Sequence, residues 1–264
     1  MRATSFAIRS TVVGLLGACA QLGFAGTVEP LYVAIPSGSI ASVLSGGSAD
    51  NAPTMVAGFE MRVKPVTVAE FLKFTEQKPE WKKTKVPSVF ADSNYLHQLD
   101  TAAISPAHAE QPITNVSWFA AQAYCESERA RLPTWYEWEY VAAADAAHAD
   151  ARKDPAWRAQ ILGWYSKPSS SRRQRVGGDV NFYGVHNMHG LIWEWVDDFN
   201  ALLVSADSRN QGDPDQLQYC GAGAISLQDR ENFAILMRVA LLSSLSGSAS
   251  TNDLGFRCAR SPTP

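Results

Sequence analysis

The sequence predicts one mixed α+β domain, rich in coil, with short strands and a few well-capped helices. Three observations carry this. Of 264 residues, 46% are hydrophobic and 19% charged, enough apolar material for a sizeable core and unlike a disordered chain. Two stretches place Thr at the head of an apolar pattern with Glu three residues later, a capping box that starts a helix. Between such stretches lie short apolar runs and polar, turn-rich segments, with no internal repeat and no long linker. The formal net charge of -3 removes any electrostatic reason to expect nucleic acid or an anionic membrane as partner.

The N-terminus reads as an export signal. Arg2 and Arg9 precede the apolar run TVVGLLGACAQLGFA, and Gly23-Phe24-Ala25 is a small-x-small cleavage site. Residues 1–25 are thus expected to be a signal peptide and residues 26–264 the mature domain. A rival reading takes Leu16-Gly17-Ala18-Cys19 as a lipoprotein cleavage pattern, with anchoring at Cys19. Both place the mature protein outside the cytoplasm, in a periplasm. The run is too short for a membrane span, and nothing later approaches the required length. Cleavage after Ala25 leaves 21 basic against 26 acidic residues, a net -5. It also leaves Cys125, Cys220 and Cys258; in an oxidising compartment an odd count suggests one disulfide and one free thiol.

Pro36 to Met55 is polar and turn-rich, expected to hold strand ends and a loop. In VTVAEFLKF, Val66 to Phe74, the residues Val68, Phe71 and Leu72 sit at helical spacing, with Thr67 and Glu70 as the capping box. A second helix is expected from near Ser117, carrying Trp118, Ala121 and Cys125 on related faces. A third follows Pro133, capped by Thr134 with Glu137. Beyond it the chain reads as irregular. Arg172, Arg173 and Arg175 form a basic cluster that reads as a solvated loop, and LVSADSRNQGDPDQLQ is another polar loop.

Three blocks carry a resemblance: PITNVSWFAAQAYCESERARLPTWYEWEYVAAA (Pro112 to Ala144), VGGDVNFYGVHNMHGLIWEWVDDF (Val176 to Phe199) and NDLGFRCAR (Asn252 to Arg260). Together, in order and spacing, they resemble the formylglycine-generating-enzyme (sulfatase-modifying factor) family. FEMRVKPVTVAEFLKF resembles that family's N-terminal strand and helix, so the likeness spans about residues 58–260. It implies a compact, coil-rich C-type-lectin-like fold, with Gly190, Trp193, Trp195 and Arg257 as motif residues and a disulfide joining Cys125 to Cys258. The family's branches include copper-dependent oxidases that convert a sulfatase cysteine to formylglycine and thiol-oxygenating ergothioneine synthases. Others are periplasmic pyoverdine-maturation proteins and accessory proteins encoded with copper nitrite reductases. GLIWEWVDDFN followed by YCGAGA is most similar to the last of these.

The resemblance also implies where oxidase chemistry would sit. Formylglycine formation needs two thiols holding Cu(I), a soft ion suited to thiolates. Their positions fall near Asp229 and Ala234, and no cysteine occurs from Gly221 to Arg257. The copper pair is therefore missing. The ergothioneine branch binds iron through histidines on a separate helical domain, for which there is no room. His186 and His189 admit a metal reading or a turn-packing one. A family calcium site uses a side-chain oxygen after the glycine; here Gly190 precedes Leu191, which offers none. Glu194, between Trp193 and Trp195, is either part of a core staple or a carboxylate lining a cleft or calcium site. Cys220 has three readings: a small buried residue, a Cu(I) ligand with Met237, His186 or His189, or a reactive thiol. Asp229, Arg230 and Glu231 offer acid–base groups or a solvated loop. The cofactor stays open, with copper and calcium as candidates.

Two functions from different classes follow. One is a periplasmic oxidase or modifying enzyme acting on a peptide or small metabolite, with Glu194, Asp229 or Glu231 as general bases. The other is an accessory factor whose old substrate groove binds a partner protein, such as a copper enzyme during maturation. The missing thiol pair and the branch likeness favour the second.

Overall fold

A computed structural model describes residues 29–42, 44, 53–99, 105–166, 174–202 and 233–262. The leader 1–25 and Cys220, Asp229, Arg230 and Glu231 lie outside the described residues, as do Arg172 and Arg173 of the basic cluster. Strand β1 (Tyr32–Ile35) pairs antiparallel with β4 (Phe59–Arg62), placing Tyr32 opposite Arg62 and Ile35 opposite Phe59. Strand β7 (Ala259–Arg260) adds to the other side of β4. Strands β2 (Gly38–Ile40) and β3 (Thr54–Val56) form a separate antiparallel pair at the two ends of the polar stretch. Strands β5 (Trp193–Glu194) and β6 (Leu254–Gly255) pair in parallel. These short sheets and the helices around them form the expected coil-rich α+β domain.

The three predicted helices form from the expected signals. Helix α1 (Val68–Gln77) has the complete capping box: Thr67 Oγ1 accepts from the Glu70 amide, and Glu70 accepts from the Thr67 amide at 2.8 Å. A short helix α2 (Pro106–Ala109) precedes α3 (Trp118–Ser127), whose N-cap Ser117 accepts from the Ala120 amide. Helix α4 (Trp135–Ala142) carries the second capping box, Thr134 with Glu137. Asp198 adds a carboxylate that accepts from the Trp135 amide at 2.7 Å.

The short α2 was not expected, and neither were two longer helices. Helix α5 (Pro155–Tyr165) begins at Pro155 with Asp154 as N-cap, and α6 (Phe233–Ser243) is apolar along most of its length.

The core gathers Phe71 and Phe74 of α1, Tyr124 of α3 and Phe256 beside β6, with ring centroids 5.3–6.2 Å apart. Trp118 donates its indole N–H to Val196 O at 3.0 Å and Trp195 donates to Val116 O at 2.9 Å, cross-tying the start of α3 to β5. Cys125, in α3, is bonded to Cys258, just before β7, across a sequence separation of 133 residues. The pairing that the resemblance implied is present.

Candidate functional site

Glu194 is fully buried, and both its carboxylate oxygens are occupied. Oε1 accepts from Arg257 Nη2 at 2.7 Å; Oε2 accepts from Arg257 Nε and from Trp138 Nε1, each at 2.8 Å. Arg257 is equally buried, so this is a dry, two-pronged ion pair. Arg238 of α6 donates to the Glu194 carbonyl, and its guanidinium lies 3.5 Å from the Trp138 ring centroid. Arg257 Nη2 also donates to His186 O at 2.9 Å, so the pair anchors the loop after Val176 as well as β5. Of the two readings of Glu194, these surroundings match the core staple rather than a carboxylate lining a cleft as a general base. Its carboxylate is held in the core by structural donors and meets no described cavity.

Above this centre lies an open cleft of about 650 Å³ between α5 and the loop of residues 178–189. Trp157, Gln160 and Trp164 of α5 face it, at i, i+3 and i+7 spacing. The loop is shaped by two asparagines. Asn181 Oδ1 accepts from the amides of Tyr183 and Val185 at 3.1 and 3.0 Å, while its Nδ2 donates to Val141 O at 2.8 Å. Asn187 adopts φ 55° and its Oδ1 accepts from Gly177 N at 2.8 Å and Gly178 N at 3.2 Å. Gly190, at φ 85°, lies under Trp164; a Cβ there would meet the indole at 2.9 Å. That contact and the positive φ account for the glycine. Leu191 beside it is buried.

His189 sits among three indoles, at ring centroid distances of 5.8 Å from Trp138, 5.7 Å from Trp157 and 6.4 Å from Trp164. Its Nε2–H donates to Ala142 O at 2.7 Å. Burial among these rings pulls its pKa down to about 4. Between the ordinary 6.5 and 4 the unfolded chain therefore binds a proton at this residue that the folded chain refuses. Stability is expected to fall as pH drops through that window, by less than the full shift implies because His189 is only partly buried and borders the cleft. Urea unfolding from pH 7 to 4 checks it: His189→Gln, which still donates to Ala142 O, flattens the slope.

His186 turns elsewhere, its ring nitrogens facing Gly178 O at 2.8 Å and a Glu29 carboxylate oxygen at 2.7 Å. The two histidines thus serve separate partners. Met237 of α6 is exposed. Among the described residues no three His, Cys, Asp or Glu side chains come together as a metal-binding group.

Asp145, Asp154 and Asp179 stand at the cleft. Asp145 accepts from the amides of Ala147 at 2.7 Å and His148 at 2.5 Å; the His148 ring beside it holds its carboxyl below the usual carboxylate range. The cleft's tryptophans had not been singled out from sequence. Their signal was Asp154-Pro155, an N-cap followed by proline at the first helical position, ahead of Trp157, Ile161 and Trp164 at helical spacing.

The family description "Sulfatase-modifying factor enzyme 1-like domain" matches residues 25–262. The formylglycine-generating enzyme of Mus musculus is 27% identical over 191 residues, covering 66% of this chain and 48% of that protein. The hercynine oxygenase of Mycolicibacterium smegmatis is 26% identical over 175 residues, 53% of this chain and 37% of that protein. A Bos taurus protein named inactive C-alpha-formylglycine-generating enzyme 2 is 27% identical over 172 residues, 57% of this chain and 50% of that protein. The chain thus spans half or less of the length of these curated relatives.

Proposed function

Because the chain belongs to the sulfatase-modifying factor enzyme 1-like family, we propose that it is an exported member that keeps the scaffold without formylglycine-generating chemistry. It acts as an accessory or maturation factor for a periplasmic enzyme, with a copper enzyme as the partner class. The observation that carries this reading is the donor set: Asp229 and Ala234 at the copper-thiol positions, with no cysteine from Gly221 to Arg257. A Cu(I) centre needs soft ligands, and neither residue is one. Glu194, the carboxylate nearest the family motif, is committed to the core. Export is supported by the apolar leader and by the Cys125–Cys258 disulfide, a bond that persists in oxidising compartments. A relative whose name includes the word inactive supports a scaffold retained without the oxidase.

A second reading, an oxidase or copper carrier using Cys220, is favoured by one observation. The disulfide consumes two of the three cysteines after the leader, leaving Cys220 as the remaining thiol. Metal analysis of protein purified from the periplasm, beside Cys220→Ser, separates the two. The accessory reading expects no stoichiometric transition metal in either sample. Near-stoichiometric copper that disappears in the variant would instead make Cys220 a ligand and support the second reading.

A further inference from the structure

We propose that the cleft between α5 and the loop of residues 178–189 binds an organic cation, an ammonium group carried on an apolar stem. The inference deepens the reading of this protein as a binding rather than an oxidising family member, and its ligand class rests on the make-up of the walls.

Two of those walls are aromatic. The Trp164 ring lies nearly parallel to the His189 imidazole, at 22°, and the Trp157 ring nearly perpendicular to it, at 87°. The two indoles of the cleft wall therefore stand at a steep angle to one another, and both line the space a cation would enter. Met188, Val180 and Val185 extend the apolar lining, and Val180 is exposed at the surface. The charge is one-sided. Asp145, Asp154 and Asp179 contribute carboxylates, and among the described residues that line the cleft none is Lys or Arg. His189 adds no positive charge at neutral pH, since burial disfavours its protonated form.

This combination selects among ligand classes. An anion meets Asp154 and Asp179, with Asp145 already turned to His148, and no Lys or Arg among the described lining residues. A divalent metal ion needs converging oxygen ligands; the described acids form no such group, and indoles do not replace its hydration shell. A neutral apolar molecule gains from the indoles but nothing from the acids. An ammonium on an apolar stem is attracted to the indole faces and drawn by the acids while its stem meets the apolar lining, so it uses every feature of the wall. The group has two sources of the same chemistry: a free metabolite, or a lysine side chain on a partner polypeptide.

Isothermal titration of the full chain tests this with three probes: choline, its uncharged carbon isostere 3,3-dimethylbutan-1-ol, and a short capped lysine peptide. At least one cation is expected to bind, with the isostere weaker by about tenfold or more. Choline binding assigns a free metabolite; binding by the peptide alone assigns a lysine of a partner. In Asp179→Asn, a change at an exposed position, the cation's affinity should drop about tenfold with the melting temperature unchanged, and in Trp157→Phe, which keeps an aromatic ring beside His189, it should drop by less. Equal affinity for choline and its isostere, or no binding by either cation, overturns the proposal. That failure leaves the non-oxidase reading standing, whereas oxidase turnover would overturn that reading without touching this titration.

Discussion

Replacing Arg257 with alanine is expected to cost about 3–5 kcal/mol of folding stability, because it leaves the Glu194 carboxylate buried and without its ion partner. Among the described residues Trp138 Nε1 is then the remaining side-chain donor on that carboxylate, at 2.8 Å from Oε2. Against a typical reserve of about 5–15 kcal/mol, the variant is marginal at 37 °C. Guanidinium unfolding reads the loss directly. The asymmetry of buried pairs gives the control: Glu194→Leu with Arg257→Met removes both charges and is expected to be more stable than either single change. The loop should also loosen, since Arg257 donates to His186 O, so amide exchange at residues 186–189 should accelerate in Arg257→Ala. A loss within about 1 kcal/mol, the range of an exposed pair, would contradict the assignment of this pair as the centre of the fold.

Cys125→Ser carries the second large effect. The bridge to Cys258 closes a loop with a sequence separation of 133 residues, for which chain entropy in the unfolded state gives about 4–5 kcal/mol. The expected result is a large drop in melting temperature, with added reductant lowering the wild type to the same level and leaving the variant unmoved. Cys220→Ser should melt with the wild type, because Cys220 has no part in that bridge. Equal losses in Cys125→Ser and Cys220→Ser would refute this division between the cysteines.

How much of this was legible in the sequence differs by element. The helices capped by Thr67, Ser117 and Thr134 were readable because each cap is a local hydrogen bond within three residues. The expected disulfide came from likeness to the family, since cysteine counting alone left the pairing among three residues open. Helix α6 escaped notice because an apolar run without a polar face shows no helical period. Glu194 was ambiguous for a different reason. Whether a carboxylate between two tryptophans faces solvent or an arginine 63 residues away is a long-range fact. The cleft was equally hidden, being assembled from α5 and a loop that meets it only in the folded chain.

The central claim is that this family member keeps the scaffold without the copper-thiol oxidase, and a turnover assay tests it most directly. Purified chain, loaded with Cu(I) and supplied with oxygen, would be incubated with a cysteine-containing sulfatase peptide and a hydroxylamine probe that captures aldehydes. The account predicts no aldehyde above the copper-only control, with or without Cys220. Catalytic, multiple-turnover aldehyde formation that depends on the protein would contradict it and require a copper site built from other residues than the family's thiol pair.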